Sequence, residues 1–176
     1  MSEIRFKPIG LIRSPFDQPE GMPVQASAAA GVQGRVELDP AYTEGLADLA
    51  GFSHIILLYH FHRAGAARLT VVPFLDPRPH GVFATRAPAR PNPIGLSVVR
   101  LLEVQGNLLR IEGVDVLEGA PLIDIKPYVP AFDVHPADQI GWLADNAKNA
   151  ASTVADGRFS ADAQAHDTLP DKPRDP

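Results

Sequence analysis

Apolar and polar positions alternate with a period of two along much of this chain, and that spacing predicts strands rather than helices. Residues 3–13 alternate as Ile4-Arg5-Phe6-Lys7 and continue through Ile9-Gly10-Leu11-Ile12-Arg13 as an opening strand, which Ser14-Pro15 ends. Arg35-Val36-Glu37-Leu38 reads as a short strand. Phe52–Arg63 is the most apolar stretch; it is too short to span a membrane and reads as a buried strand. Leu69–Leu75 is another, stopped by Asp76-Pro77-Arg78-Pro79. Leu96–Val104 and Leu108–Val116 flank Gln105-Gly106-Asn107, a hairpin signal. In Leu122–Val129, Ile123, Ile125 and Val129 fall on one face, with Asp124, Lys126 and Tyr128 on the other.

Helical signals are few. Asp39 is a good cap and Pro40 a good first residue for a short helix over Ala41–Ala50, whose Leu46, Leu49 and Ala50 would meet the core. Residues 144–165 admit a short amphipathic helix. Many short strands punctuated by proline and glycine predict an all-β fold: a closed β-barrel with short helical insertions and a weakly ordered C-terminal tail. The expected division is a barrel domain over residues 1–143 and a C-terminal extension over 144–176, partly helical or disordered. Thr168–Pro176 is proline and charge without a core, so it is expected to be disordered.

Composition narrows the classes. With 176 residues the chain suits one domain with a real core. The absence of cysteine excludes disulfides, thiolate metal sites and thiol nucleophiles, and is compatible with the cytoplasm, the expected location. MSEIRFKPIG carries no apolar segment of the secretory kind, and no membrane span is expected. A net charge of −5 argues against non-specific binding to nucleic acid. The distribution changes that picture. Between His54 and Leu102, Arg63, Arg68, Arg78, Arg86, Arg90 and Arg100 meet a single acid, Asp76, whereas acids dominate from Asp133 onward. The centre suits an anionic partner; dispersed surface charge is the plain alternative. No GxGxxG follows a strand, so a doubly wound nucleotide site is not supported.

The densest candidate chemistry lies in Gly81–Arg100, GVFATRAPARPNPIGLSVVR. Pro88, Pro91 and Pro93 stiffen the connector and restrict the residues before them. It reads as a scaffold that aims Arg86, Arg90 and Asn92, ahead of the alternative of solvated arginines on a proline-rich loop. Phe16–Gly34 is a long loop, which is either functional or disordered. His54, His60 and His62 would share one strand face and raise the question of zinc. No carboxylate lies nearby to complete such a set, so no metal site is assigned, and hydrogen-bonded structural histidines are the usual alternative. Asp124, Lys126 and Tyr128 form either a polar cluster or an exposed sheet face with a weak ion pair.

Three motifs carry a resemblance. Ala84-Thr85-Arg86-Ala87-Pro88-Ala89-Arg90-Pro91-Asn92-Pro93-Ile94-Gly95-Leu96-Ser97 resembles the signature of the TsaA-like family, also called TrmO-like. Asp124-Ile125-Lys126-Pro127-Tyr128 and Ile9-Gly10-Leu11-Ile12-Arg13-Ser14-Pro15 match in the same order, so the resemblance spans residues 3–133. It implies a β-barrel methyltransferase that uses S-adenosylmethionine, acts on the exocyclic amine of a modified adenosine beside the tRNA anticodon, and forms a homodimer with its site close to the subunit interface. By the same resemblance the cofactor is held by Gln25, Ala26, Ser27, Ala28, His62, Arg63, Arg86, Leu96, Leu117, Glu118, Gly119 and Ala120. Arg90, Asn92 and Tyr128 face the substrate. Asp124 is the candidate proton acceptor, with Lys126 positioning it. Arg63 stands where family members often carry Gln, and Glu118-Gly119-Ala120 where Asp-Gly-Thr is common. Larger members carry a further C-terminal domain for which 144–176 leaves no room. An S-adenosylmethionine-binding module with a different or lost methyl acceptor is therefore the alternative, and a purely structural dimeric β-protein a third reading.

Overall fold

The computed structural model describes residues 3–161. Its strands are β1 (Gly10–Arg13), β2 (Gln33–Leu38), β3 (His54–His60), β4 (Thr70–Val71), β5 (His80–Gly81), β6 (Ile94–Gln105), β7 (Leu108–Glu112) and β8 (Ala120–Pro127), followed by a single α-helical turn, α1 (Pro130–Asp133). Six of these close a barrel in the order β1-β2-β7-β6-β3-β8, with β8 returning antiparallel to β1. Closure removes the unpaired edges that an open sheet would present. β4 and β5 form a separate two-stranded ribbon.

The period of two builds the interior. Ile55, Leu57 and Tyr59 of β3 point inward with Val99 and Leu101 of β6, Leu109 and Ile111 of β7, Val36 and Leu38 of β2, Ile12 of β1, and Ala120 and Leu122 of β8. Each fully buried aliphatic side chain contributes roughly 1.5–3 kcal/mol. β6 and β7 are joined through Gly106-Asn107, since Gln105 pairs with Leu108, as the hairpin signal predicts. Gly95 sits on the inward side of β6, and a Cβ there would run into the Tyr59 ring. Glycine is what admits that phenol to the interior.

Several elements differ from the sequence reading. The opening strand begins only at Gly10; residues 3–9 carry no regular element, and Ile4 and Phe6 are exposed. The strand expected over Leu69–Leu75 contracts to Thr70–Val71, because Pro73 has no amide hydrogen for a ladder. The helix expected over Ala41–Ala50 is a pair of 3₁₀ turns, Pro40–Leu46 and Leu49–Gly51. Asp39 does cap the first, accepting from the Ala41 amide at 2.9 Å. Asp48, at φ 64, breaks the run. In β8 the alternation slips: Leu58 pairs with Asp124 but Tyr59 with Leu122, so Ile123 bulges. Leu122 and Ile125 therefore both pack on the core, while Asp124 and Lys126 lie on the barrel's outer face.

The helix expected within 144–165 appears as the 3₁₀ turn Ala147–Ala151, after another at Gly141–Leu143. Residues 162–165 and the tail Thr168–Pro176 lie outside the described residues. Up to residue 161 the segment folds back on the barrel. Val154 bridges to Pro23 and Ser160 to Ala64. Phe159 is buried with Val71, Val82, Ala87 and Ala89 in a second small core, edge-on to Phe74 at 5.2 Å between ring centroids.

Candidate functional site

The second core lies beneath the proline-rich connector and explains its direction. Ala87 and Ala89 are buried while Arg86 is exposed, so the alanines act as the foot of the loop. Thr85 stitches its start: its hydroxyl donates to the Val82 carbonyl at 2.9 Å and accepts from the Ala87 amide at 3.3 Å. Arg90 reaches back to the Thr85 carbonyl at 3.4 Å. Arg86 crosses to the long N-terminal loop and donates to Gln25 Oε1 at 2.8 Å. Trp142, from the returning C-terminal segment, donates to the Ala84 carbonyl at 2.8 Å and stacks on His80 at 4.6 Å.

These parts enclose a cavity of about 610 Å³ between the mouth of the barrel, the connector, the loop around Gln25 and residues 142–160. Ligand sites have this size, and such mostly apolar walls with a few polar groups fix a ligand's orientation. Of the residues expected at the site, Gln25, His62, Arg63, Arg86, Arg90, Leu96, Leu117 and Ala120 line it. Arg63 also donates to the Asp17 carbonyl, which ties the N-terminal loop to the end of β3. Burial first, then the charges of Arg63 and His60, push the His62 imidazole below its ordinary value, which favours its neutral form.

The other expected residues stand elsewhere. Ala26, Ser27 and Ala28 form a 3₁₀ turn immediately after Gln25. Glu118 is engaged with β1: it accepts from Arg13 at 3.0 Å and from the Ser14 amide at 2.7 Å. Gly119, at φ 74, makes the turn that brings Leu117 and Ala120 to the cavity. Asn92 is exposed on the connector. Asp124 and Lys126 pair at 2.7 Å, with Tyr128 edge-on to His54 at 6.2 Å. Register links this face to the cavity, because Leu58 pairs with Leu96 on one side and Asp124 on the other. Leu96 lines the cavity, so Asp124 lies two strands away in the same row, roughly 10 Å along the surface. His54 and His60 stand at opposite ends of β3, and His62 lies beyond the strand, so the alternation that would have grouped them stops short. Among the described residues no group of three His, Cys, Asp or Glu is placed to hold a metal ion.

The sequence reading missed one group altogether. Tyr59 of β3, Ser97 of β6 and Asp115 all line or border the cavity. Ser97 Oγ lies 2.6 Å from Asp115 Oδ1 and 3.0 Å from the Tyr59 hydroxyl. An ionised carboxylate only accepts, so Ser97 donates its single proton to Asp115 and Tyr59 donates to Ser97. Burial pushes the Asp115 carboxyl above its ordinary value; Ser97, the backbone amides of Asp115 and Ala26, and the charge of Arg86 oppose the shift. Burial and the nearby Asp115 charge push the Tyr59 phenol far up, which keeps it a neutral donor. The available signal was polarity at inward positions: Tyr59 and Ser97 each interrupt an apolar face, and Asp115 lies between the buried Val114 and Val116.

Comparison with known proteins shows the family. Residues 11–134 match the family model described as the tRNA-methyltransferase O N-terminal domain. A probable S-adenosyl-L-methionine-binding protein of Pyrococcus abyssi is 58% identical over 156 residues, covering 89% of this chain and 85% of that protein. A tRNA (adenine(37)-N6)-methyltransferase of Escherichia coli is 38% identical, covering 77% of this chain and 62% of that enzyme. The crystal structure of TrmO from Pseudomonas aeruginosa superposes with a TM-score of 0.68 at 39% identity, over 80% of this chain and 63% of that one. This chain therefore spans less than two thirds of the bacterial enzymes it matches. Over residues 11–134, which include the barrel strands and the arginine connector, the match shows that this chain belongs to the tRNA-methyltransferase O N-terminal domain family.

Proposed function

We propose that this chain binds S-adenosylmethionine in the cavity and transfers its methyl group to the exocyclic amine of the adenine at position 37 of tRNA. The observation that carries the reading is the convergence of Gln25, His62, Arg63, Arg86, Leu96, Leu117 and Ala120 on one cavity in a family whose relatives are named for this cofactor and this reaction. The residues present fit the cofactor. Apolar walls suit its adenosine, arginines suit its carboxylate through paired hydrogen bonds, and a lone acid suits its positive charge. Bound there, S-adenosylmethionine supplies an electrophilic methyl on a sulfonium.

The protein's part is alignment and exclusion of water. Arg86 and Gln25 hold one another and orient the cofactor. Arg90 and the exposed Asn92 face an incoming nucleotide, and Tyr128 offers a ring for stacking. Asp124 accepts, directly or through water, the proton that the amine sheds as its bond to carbon forms, with Lys126 holding the carboxylate. A homodimer belongs to the same reading, with the exposed Ile94 and Leu96 as the apolar positions beside Asp124 that a second copy would cover. Residues 1–143 act as the barrel domain and 144–176 as a C-terminal extension, whose described part, up to residue 161, closes one side of the cavity. The cytoplasm, where tRNA is modified, is the proposed location; among the described residues no helix is long and apolar enough to cross a membrane.

A second reading is an S-adenosylmethionine-binding module with another acceptor or none. It is favoured by the 58% identical archaeal relative, which is of similar length and named only for binding. Titration with S-adenosylmethionine, followed by transfer of labelled methyl to tRNA lacking the modification, separates the two. Binding without transfer supports the module; transfer supports the enzyme. Mass measurement in solution tests the dimer.

A further inference from the structure

We propose that Asp115 is the group by which the cavity favours the positively charged sulfonium of S-adenosylmethionine over the neutral thioether that remains after transfer. The inference rests on the cofactor reading above. Substrate and product of that reaction share adenine, ribose, amino group and carboxylate, and differ by one methyl and one positive charge. A cavity that holds the first more tightly than the second has only the methyl and the charge to read.

Among the described residues lining the cavity Asp115 is the one acid, and Arg63, Arg86 and Arg90 are the strong bases. The arginines suit the carboxylate common to both ligands and disfavour a sulfonium. Only Asp115 draws a cation in. Its surroundings fit that role. The hydrogen bonds it receives come from neutral donors, the Ser97 hydroxyl and the amides of Asp115 and Ala26. They hold the carboxylate in place without cancelling its charge. The Tyr59-to-Ser97 bond removes the last rotational freedom of the hydroxyl. Ser97 and Tyr59 come from β6 and β3, two rigid walls, so the charge is fixed before any ligand arrives. In a desolvated setting a fixed charge acts over several ångströms, so the preference does not require direct contact with the sulfur.

The test is calorimetric titration of the intact chain with S-adenosylmethionine, with S-adenosylhomocysteine, and with the nitrogen analogue that carries a protonated amine in place of sulfur. On the wild type the two cationic ligands are expected to bind about tenfold more tightly than the thioether, a difference of about 1.4 kcal/mol. In Asp115→Asn the cationic ligands should weaken about tenfold while the thioether changes less than about threefold. Asp115→Glu, which keeps the charge, should restore much of the preference. Equal binding of all three ligands to the wild type overturns the proposal without any variant having to fold. Equal weakening of all three in Asp115→Asn overturns it too and assigns Asp115 to holding the Gln25 turn. If no ligand binds the wild type, the cofactor reading itself fails and this inference falls with it.

Discussion

Asp76 and Asp115 are two carboxylates drawn into the protein, and they are treated in opposite ways. Asp76 anchors the loop between β4 and β5. Arg78 grips it with its side chain at 2.8 Å and its amide at 2.8 Å, and His80 stands 3.4 Å away. These partners hold the Asp76 carboxyl well below the usual carboxylate range, Arg78 first. Asp115 receives its hydrogen bonds from neutral donors, and burial pushes it up despite the opposing charge of Arg86. A carboxylate that only builds structure can be fully matched by its neighbours. One that must meet a ligand's charge has to be left unmatched, and the unpaired charge costs stability.

That contrast can be broken from either side. The largest stability effect is expected for Arg78→Ala, which strands Asp76 and should lower the melting temperature by several degrees. Asp76 has a folded pKa below its unfolded one, so its contribution is present above the ordinary carboxylate pKa and is lost as pH falls through the folded value. Arg78→Ala should flatten that acid limb of the stability curve. Gly95→Ala, which drives a methyl into the Tyr59 ring, should cost about 1–3 kcal/mol in denaturant titration and disturb the Tyr59–Ser97–Asp115 chain with it. Arg86→Ala should leave the melt unchanged, because its side chain is exposed, and weaken S-adenosylmethionine about tenfold in a titration.

Asp115→Asn should hold the melting temperature at pH 7 or raise it. The sign follows from a folded pKa above the unfolded one: ionisation costs stability, so the cost is absent below the unfolded pKa and is fully developed once pH exceeds the folded value. A clear drop in the melt at neutral pH would place Asp115 with Asp76 as a structural carboxylate. Asp124→Asn should also change stability little, within about 1 kcal/mol, since its pair with Lys126 is solvent-screened. Its activity readout is separate: roughly 100-fold slower methyl transfer is expected from loss of a general base, and an unchanged rate would remove Asp124 from the reaction.

What the sequence revealed followed from local rules. Period-two alternation in β7 and the apolar run of β3 located barrel walls, and Gly106-Asn107 located the hairpin between β6 and β7. Proline spacing pointed to the connector that presents Arg86 and Arg90. The features that escaped depend on partners distant along the chain. Whether Ile123 bulges depends on its register against β3, not on its own segment. Tyr59, Ser97 and Asp115 lie 38 and 18 residues apart and meet only when β3 and β6 pair. The C-terminal segment looked like an appendage because its apolar residues are sparse, yet Phe159 and Trp142 complete the second core and the cavity wall.

The most direct test of the cavity as a cofactor site is a pair of calorimetric titrations with S-adenosylmethionine, on the wild type and on Arg86→Ala. The account predicts saturable binding to the wild type and roughly tenfold weaker binding to the variant, with matching melting curves. No binding to the wild type at millimolar ligand, or equal affinity in the two proteins, would contradict it.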